Sequence, residues 1–391
     1  MNKILTTIII IGAMLFGGWY FLASTPTEEP EKNEAASSPL GATYLIGGES
    51  FTLVDGSAEK ESTPGSATKN KVSVFGEPVY GDVDIDGDDD AVLILVNDPG
   101  GSGTFYYAAM AMRTDQGFLG TNVLLLGDRI APQTVEIRNG IAIANYADRA
   151  PGEPMTARPS IGKSAYMTLE KGELKEAAPL SEGEQVLFGY LTIGHEARSF
   201  RPCGEGQREY WLSGDSPALD TLKETYANEV SDVPPAAYAP LFAVVAGKII
   251  DAPQDGFGAD YEYALRVSQL IRADRKGSCK SDLIVVASPL AGSIISSPLI
   301  VEGFARGTWY FEASFPLILT DWDGRIIAEG YATAQSDWMT EAFVPFKGTL
   351  EFKKPESLNG FSNRGALIFK KDNPSGLPEH DDALEITVYF E

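Results

Sequence analysis

Apolar and polar positions alternate along most of this chain, and the clearest exception lies at its start. The stretch Ile4–Ala23 carries no charged residue and is dominated by Ile, Leu, Gly and aromatic side chains. At about 1.5 Å rise per residue such a run makes a helix of roughly 30 Å, the hydrocarbon thickness of a bilayer. Trp19 and Tyr20, near its outer end, suit the headgroup layer. Lys3 precedes the run, and Glu28, Glu29 and Glu31 follow it, which orients the N-terminus toward the cytoplasm. The pattern predicts a single-pass anchor over residues 1–23. A cleaved signal peptide is the other reading, against which stand the length of the run and the poor cleavage site Leu22-Ala23-Ser24-Thr25. No Cys follows the run, so a lipoprotein anchor is excluded. Both open readings put the rest of the chain outside the cytoplasm, in the periplasm or at the cell surface.

Residues 24–40 are Pro, Glu, Ser and Ala with almost no bulky apolar side chains, the composition of a flexible tether. From 41 to 176 strand-like runs dominate, among them Val72–Phe75, Ala91–Val96, Thr104–Met112 and Asn122–Leu126. Asn139-Gly140 separates two such runs and marks a hairpin, since both turn positions need positive φ. Residues 177–185 read as a second linker. The section 186–282 opens on the strand Val186–Ile193. One helix follows, with Ser216 as N-cap, Pro217 in the first turn, and Leu219, Leu222 and Tyr226 on one face. Strands at Leu241–Ile250 and Tyr261–Ile271 complete a small OB-like barrel. The last section, 283–391, holds seven strand-like runs, Trp309–Leu319 among them, with Asp323-Gly324 as a turn. About seven strands in some 100 residues is the rhythm of an immunoglobulin-like sandwich. The expected fold class is therefore mainly β and multidomain, behind an N-terminal transmembrane helix.

Composition narrows the function. The net charge of −24 and pI near 4.5 repel phosphate backbones and anionic lipid headgroups, which excludes nucleic-acid partners. The same acidity suits divalent cations. Frequent Gly (40) and Pro (24) fit short strands and turns better than long helices. The only cysteines, Cys203 and Cys279, form a disulfide in an oxidising compartment, closing a loop of about 77 residues worth roughly 4–4.5 kcal/mol. A metal site at this pair would lack ligands, because the only histidines are His195 and His380.

The stretch Ser288–Ala334, SPLAGSIISSPLIVEGFARGTWYFEASFPLILTDWDGRIIAEGYATA, resembles the immunoglobulin-like domain of the Gmad type, named from bacterial spore-germination proteins. Ser-Pro turns before the early strands, Val-x-Gly-x-Ala, and Asp-Gly before Ile-Ile-Ala-Glu-Gly carry the resemblance, and LEITVYFE closes it. It implies an extracytoplasmic module for adhesion or assembly, with no catalytic residues to carry over. Gly189–Leu212, GYLTIGHEARSFRPCGEGQREYWL, is distantly similar to the OB-like part of NlpE-type envelope lipoproteins, without their lipoprotein cysteine or Cys-x-x-Cys. The first domain, with NDPGGSGTFYY, LLGDRIAPQT and NYADRAPGEPMT, resembles an uncharacterised exported bacterial domain.

The sharpest chemical pattern is Asp82-Val-Asp84-Ile-Asp86-Gly87-Asp88-Asp89-Asp90. Carboxylates at positions 1, 3, 5 and 9, with Gly at 6 and a main-chain carbonyl at Asp88, match a calcium loop. Leu93 replaces the usual bidentate Glu and a strand follows instead of a helix, so the loop is closer to those of integrin-type repeats than to an EF-hand. Its role as a Ca2+ site on Asp82, Asp84, Asp86, Asp88 and Asp90 is structural; a solvated acidic turn is the other reading. Gly-rich Asn97–Thr104 lacks the ending of a phosphate loop, and Ser160–Lys163 lacks the context of a penicillin-binding nucleophile. His195-Glu196 reads as a surface pair with Arg198, and His380 as a solvated turn residue. No catalytic set emerges. The expected function is a membrane-anchored, non-catalytic binding or scaffold protein of the bacterial envelope, its partner a protein or glycan. Aromatic side chains around Trp309–Phe311, Trp322 and Trp338 provide either core or contact surface. The competing class is an envelope hydrolase with a metal-dependent site around Asp82–Asp90 and Arg129–Asn145.

Overall fold

The rolled first sheet begins with β1 (Thr43–Ile46), β2 (Glu49–Thr52) and β3 (Ser57–Glu61). It continues through β4 (Lys69–Gly81), β5 (Asp90–Asp98), β6 (Phe105–Thr114) and β7 (Gly117–Asp128), in the order β2-β1-β7-β6-β5-β4-β3. A computed structural model describes residues 34–204, 208–214, 216–230, 237–355 and 363–391. The expected membrane anchor, and most of the tether, lie outside the described residues. No helix among those described is long and apolar enough to cross a membrane. The end of the expected tether is not free: Ala36 exchanges main-chain hydrogen bonds with Phe118 (2.9 and 2.7 Å), and Pro39 is buried. The physical reason is Gly117, whose missing Cβ leaves room for the Ala36 carbonyl, with Tyr44 hydroxyl donating to the Pro39 carbonyl at 2.8 Å.

Strand β5 is buried on both faces, which is why it reads as an unbroken apolar run. Leu93 and Leu95 point into the rolled sheet with Tyr44, Phe51 and Phe118. Val92 and Ile94 point the other way, onto a four-stranded sheet, β11-β10-β9-β8. That sheet comprises β8 (Ala131–Arg138), β9 (Ile141–Asp148), β10 (Ile161–Glu170) and β11 (Glu173–Glu176). The Asn139-Gly140 turn has φ of 46° and 76°, as the hairpin reading requires.

Next comes a closed five-stranded barrel, β12-β13-β14-β16-β15. Its strands are β12 (Gln185–Ile193), β13 (Arg198–Pro202), β14 (Tyr210–Ser213), β15 (Leu241–Asp251) and β16 (Tyr263–Asp274). Helix α1 (Pro217–Glu229) lies between β14 and β15; Ser216 caps it by accepting from the Leu219 N–H at 3.2 Å, and Leu219, Leu222 and Tyr226 enter the barrel core. Strand β15 repeats the logic of β5. Leu241, Ala243 and Val245 fill the barrel, while Phe242 and Val244 face outward onto Ile141 and Ile143 of β9. The Cys203–Cys279 disulfide packs into this same outer cluster.

The C-terminal section holds eight strands around one core. They are β17 (Ile284–Ser288), β18 (Ile294–Ile295), β19 (Leu299–Arg306), β20 (Ser314–Asp321), β21 (Ile326–Ala334), β22 (Phe343–Leu350), β23 (Arg364–Lys370) and β24 (Ala383–Phe390). The order is β17-β19-β22-β21-β20-β23-β24-β18. One expected strand differs. Trp309–Phe311 is not extended, because Gly307–Trp309 forms a 3-10 turn and Glu312 and Ala313 take positive φ. Trp309 and Tyr310 are therefore both buried and Phe311 is exposed, instead of alternating between faces.

Sheet edges share a chemistry. β3 reads Ser-Ala-Glu-Lys-Glu and β11 reads Glu-Leu-Lys-Glu, while β8 carries Pro132 and a bulge at Pro132/Thr134. Of the C-terminal edges, β18 has two residues, and β17 has a bulge and then Pro289. Residues Asn33–Glu391 nonetheless pack as one unit.

Candidate metal centre at a junction of three modules

The Asp-rich loop joins β4 to β5 and is shaped by its own main chain. Ile85 and Gly87 take positive φ (61° and 95°), a tight path along which the carboxylates of Asp82, Asp84 and Asp86 converge. The Asp82 carboxylate accepts from the N–H groups of Asp86 (3.1 Å) and Gly87 (2.9 Å), and Asp86 accepts from the Asp88 N–H (2.9 Å). Asp90 accepts from Val83 (3.0 Å) and Arg113 (2.8 Å) N–H groups. Asp82 and Asp90 are only 4% and 1% exposed.

Of the five residues expected to hold calcium, three converge: carboxylate oxygens of Asp82, Asp84 and Asp86 lie within 4.8 Å of one another. Asp88 is exposed, and the Asp90 carboxylate is engaged with main-chain N–H groups. One Asp84 oxygen is buried with no hydrogen-bond partner. Three hard oxygen ligands around a turn are the chemistry of a Ca2+ site rather than of a Zn2+ site, which favours nitrogen or sulfur.

Burial, more than mutual repulsion, raises these carboxyls: Asp82 to about 7, Asp84 to about 6 and Asp90 to about 8. Arg272 and Lys276 act in the opposite direction on Asp84. In the cation-free protein the folded state therefore keeps protons that the unfolded chain releases near pH 4. Stability contributed in this way is present below that pH and is lost as pH rises through about 6 to 8. A chelated sample is expected to melt a few degrees lower at about pH 8 than at about pH 5, with a flatter dependence in Asp84→Asn. Identical pH dependences in the two proteins would show that Asp84 keeps no proton in the fold.

What the sequence pattern does not reveal is how the loop is held from outside. Arg272, at the end of β16, donates through Nη1 to the carbonyls of Val83 (2.7 Å) and Gly140 (3.0 Å). Its Nη2 reaches the Asp84 carbonyl (3.3 Å) and Asp274 (3.1 Å). From the C-terminal sandwich, Arg306 forks onto Asp89 with two 2.7 Å hydrogen bonds, lies 3.9 Å from the Phe343 ring centroid, and donates to the Asp282 carbonyl at 3.1 Å. Phe304, two residues earlier on β19, covers Gly87 so closely that a Cβ there would lie 2.3 Å from the ring. Asn139 N–H donates to Asp282 at 2.7 Å, closing the junction.

Other expected residues fall elsewhere. Arg129 pairs with Asp128 at 2.9 Å, and Asn145 bonds Thr134 (2.9 Å) and Ser164 (2.6 Å). These lie toward the far end of the β8–β9 hairpin from the Asn139-Gly140 turn, the part of that segment that meets the Asp loop, where the Gly140 carbonyl shares Arg272 with that of Val83. Arg198 stacks over Trp211 (4.9 Å) instead of pairing with Glu196, and His380 sits in an exposed 3-10 turn.

The fold thus defines a mainly β protein of several modules, with one helix, whose last module is immunoglobulin-like. Residues 283–362 match the family model described as the immunoglobulin-like domain of bacterial spore germination, the family expected from Ser288–Ala334. The match does not extend to the residues before 283. No curated protein and no solved structure matches the chain.

Proposed function

We propose that this chain is a non-catalytic binding or scaffold protein of the bacterial envelope, in which three β modules are set in a fixed arrangement around a structural calcium loop. In this reading residues 1–23 anchor it in the cytoplasmic membrane, and the modules stand outside. The observation that carries the proposal is the double tie on Asp82–Asp90, by Arg272 from the barrel and by Arg306 from the sandwich. A loop packed under two neighbouring modules serves architecture better than turnover, which needs an open position for substrate. The barrel's strand order, with one helix between its third and fourth strands, supports the OB-like reading. Trp322 and Tyr331, 51% and 64% exposed on the last module, supply aromatic surface for a protein or glycan partner.

Thermal melts of the purified full-length chain, stripped with EDTA and then given calcium at about pH 8, test the loop. A rise of several degrees is expected, since a ligand that binds only the folded state stabilises it. The rise is expected to vanish in Asp84→Ala and Asp86→Ala. No rise at millimolar calcium would reduce the loop to an acidic turn, and the scaffold would then rest on the arginine ties alone.

A further inference from the structure

The barrel and the sandwich leave a cleft of about 210 Å³ between them, on a face whose charge is opposite to that of the whole protein. Arg201 of β13, Arg275 and Lys276 after β16, and Arg364 at the start of β23 line it, against a single carboxylate, Glu385. The chain's net charge is −24, so four cations around one concavity go against its composition. Arg275 is fixed by the Ala291 carbonyl, to which Nη2 and Nε donate at 2.8 and 3.3 Å, and so forms a wall. Among the described residues neither Arg201 nor Lys276 forms an ion pair.

The floor carries a further donor. The Tyr190 hydroxyl accepts the Cys279 N–H at 3.2 Å, which fixes its oxygen and leaves its own proton to give. The Tyr190 ring is set edge-on to Phe242 at 5.9 Å, and the Arg201 guanidinium lies 5.5 Å from its centroid. Guanidinium and ammonium groups donate and cannot accept. A cleft with this lining matches a group that only accepts and carries negative charge.

Size and overall charge narrow the class. Pockets for drug-sized ligands run from about 300 Å³ upward, so this one takes an end group and not a large molecule. A multiply charged phosphate meets the repulsion of the whole acidic surface, whereas a single carboxylate meets the least of it. Planar arginine forks also match a carboxylate's two oxygens. We propose that this cleft binds one carboxylate, supplied either by a peptide C-terminus or by a small organic acid. Carboxylate binding in the cleft needs no cation in the Asp loop, although Lys276 also acts on Asp84.

Calorimetric titration of the full-length chain at low salt tests it, with N-acetyl-alanyl-alanine, the same dipeptide as its C-terminal amide, acetate, and inorganic phosphate as probes. Binding of the acid but not the amide is expected, weakened about tenfold by Arg201→Gln or Lys276→Gln, both at exposed positions, with melting of each variant checked against the parent. Acetate binding as tightly as the dipeptide would assign the site to small acids, and a clear preference for the dipeptide to peptide ends; both support the proposal. Equal binding of acid and amide, binding of phosphate alone, or no carboxylate binding up to about 10 mM would overturn it.

Discussion

Arg272→Ala is expected to lower the unfolding free energy by about 3–4 kcal/mol and to separate the melting of the first module from that of the barrel. Its side chain is only 12% exposed and donates to three main-chain carbonyls, those of Val83, Gly140 and Asp84. Truncation leaves these acceptors unmatched in a closed junction, each costing on the order of 1 kcal/mol, and also frees the space against Ile85 and Gly140. Arg272→Lys is expected to recover less than half of the loss, because one ammonium cannot fork across carbonyls from two loops. Arg266, exposed on the same strand, is the control, and Arg266→Ala is expected to stay within about 0.5 kcal/mol of the parent. Denaturant titration followed at two probes, one in each module, makes the comparison. A loss below about 1 kcal/mol for Arg272→Ala, with coincident transitions, would mean the loop is held without the barrel.

The second large effect concerns the disulfide. Replacing Cys203 and Cys279 together by Ala is expected to cost roughly 3–4.5 kcal/mol, mostly through the unfolded chain, which regains the freedom of a 76-residue separation. The bridge links the end of β13 to the segment after β16, and its sulfurs pack among Phe188, Phe242 and Val244 beneath β9. Reduction of the parent protein should produce the same loss as the double substitution, and oxidant should leave the variant unmoved. Equal stability of the oxidised and reduced parent would show that the pairing adds nothing to the fold.

Much of the architecture was legible because it is written in short-range patterns. Asn139-Gly140 demanded a hairpin, Ser216-Pro217 a helix start, and the spacing of Asp82, Asp84, Asp86 and Gly87 a tight carboxylate turn; each depends on neighbours within a few residues. The modules' mutual packing was only half legible. The strands at Ala91–Val96, Ile141–Tyr146 and Leu241–Ile250 are apolar runs, yet nothing in a run says that both faces are covered or what covers them. In the fold β9 and β15 cover each other, so segments that read as separate domains form one unit. Arg272 and Arg306 were invisible as site residues, since they lie 189 and 217 positions from the groups they bind and any surface arginine reads the same way. Trp309–Phe311 misled for a different reason. Its apolar character fits a strand, whereas Gly307 and the left-handed pair Glu312-Ala313 decide the local path.

The blunted edges have a consequence for how this protein is used. Three open sheets have six margins, each a row of N–H and C=O groups on which a foreign strand, or a second copy, would add itself. Here charged Glu and Lys side chains on β3 and β11, Pro132 on β8, the two-residue β18 and the bulge before Pro289 each interrupt such a row. At these five margins a partner must recognise side chains, by their shape and charge, because the row of backbone groups is broken.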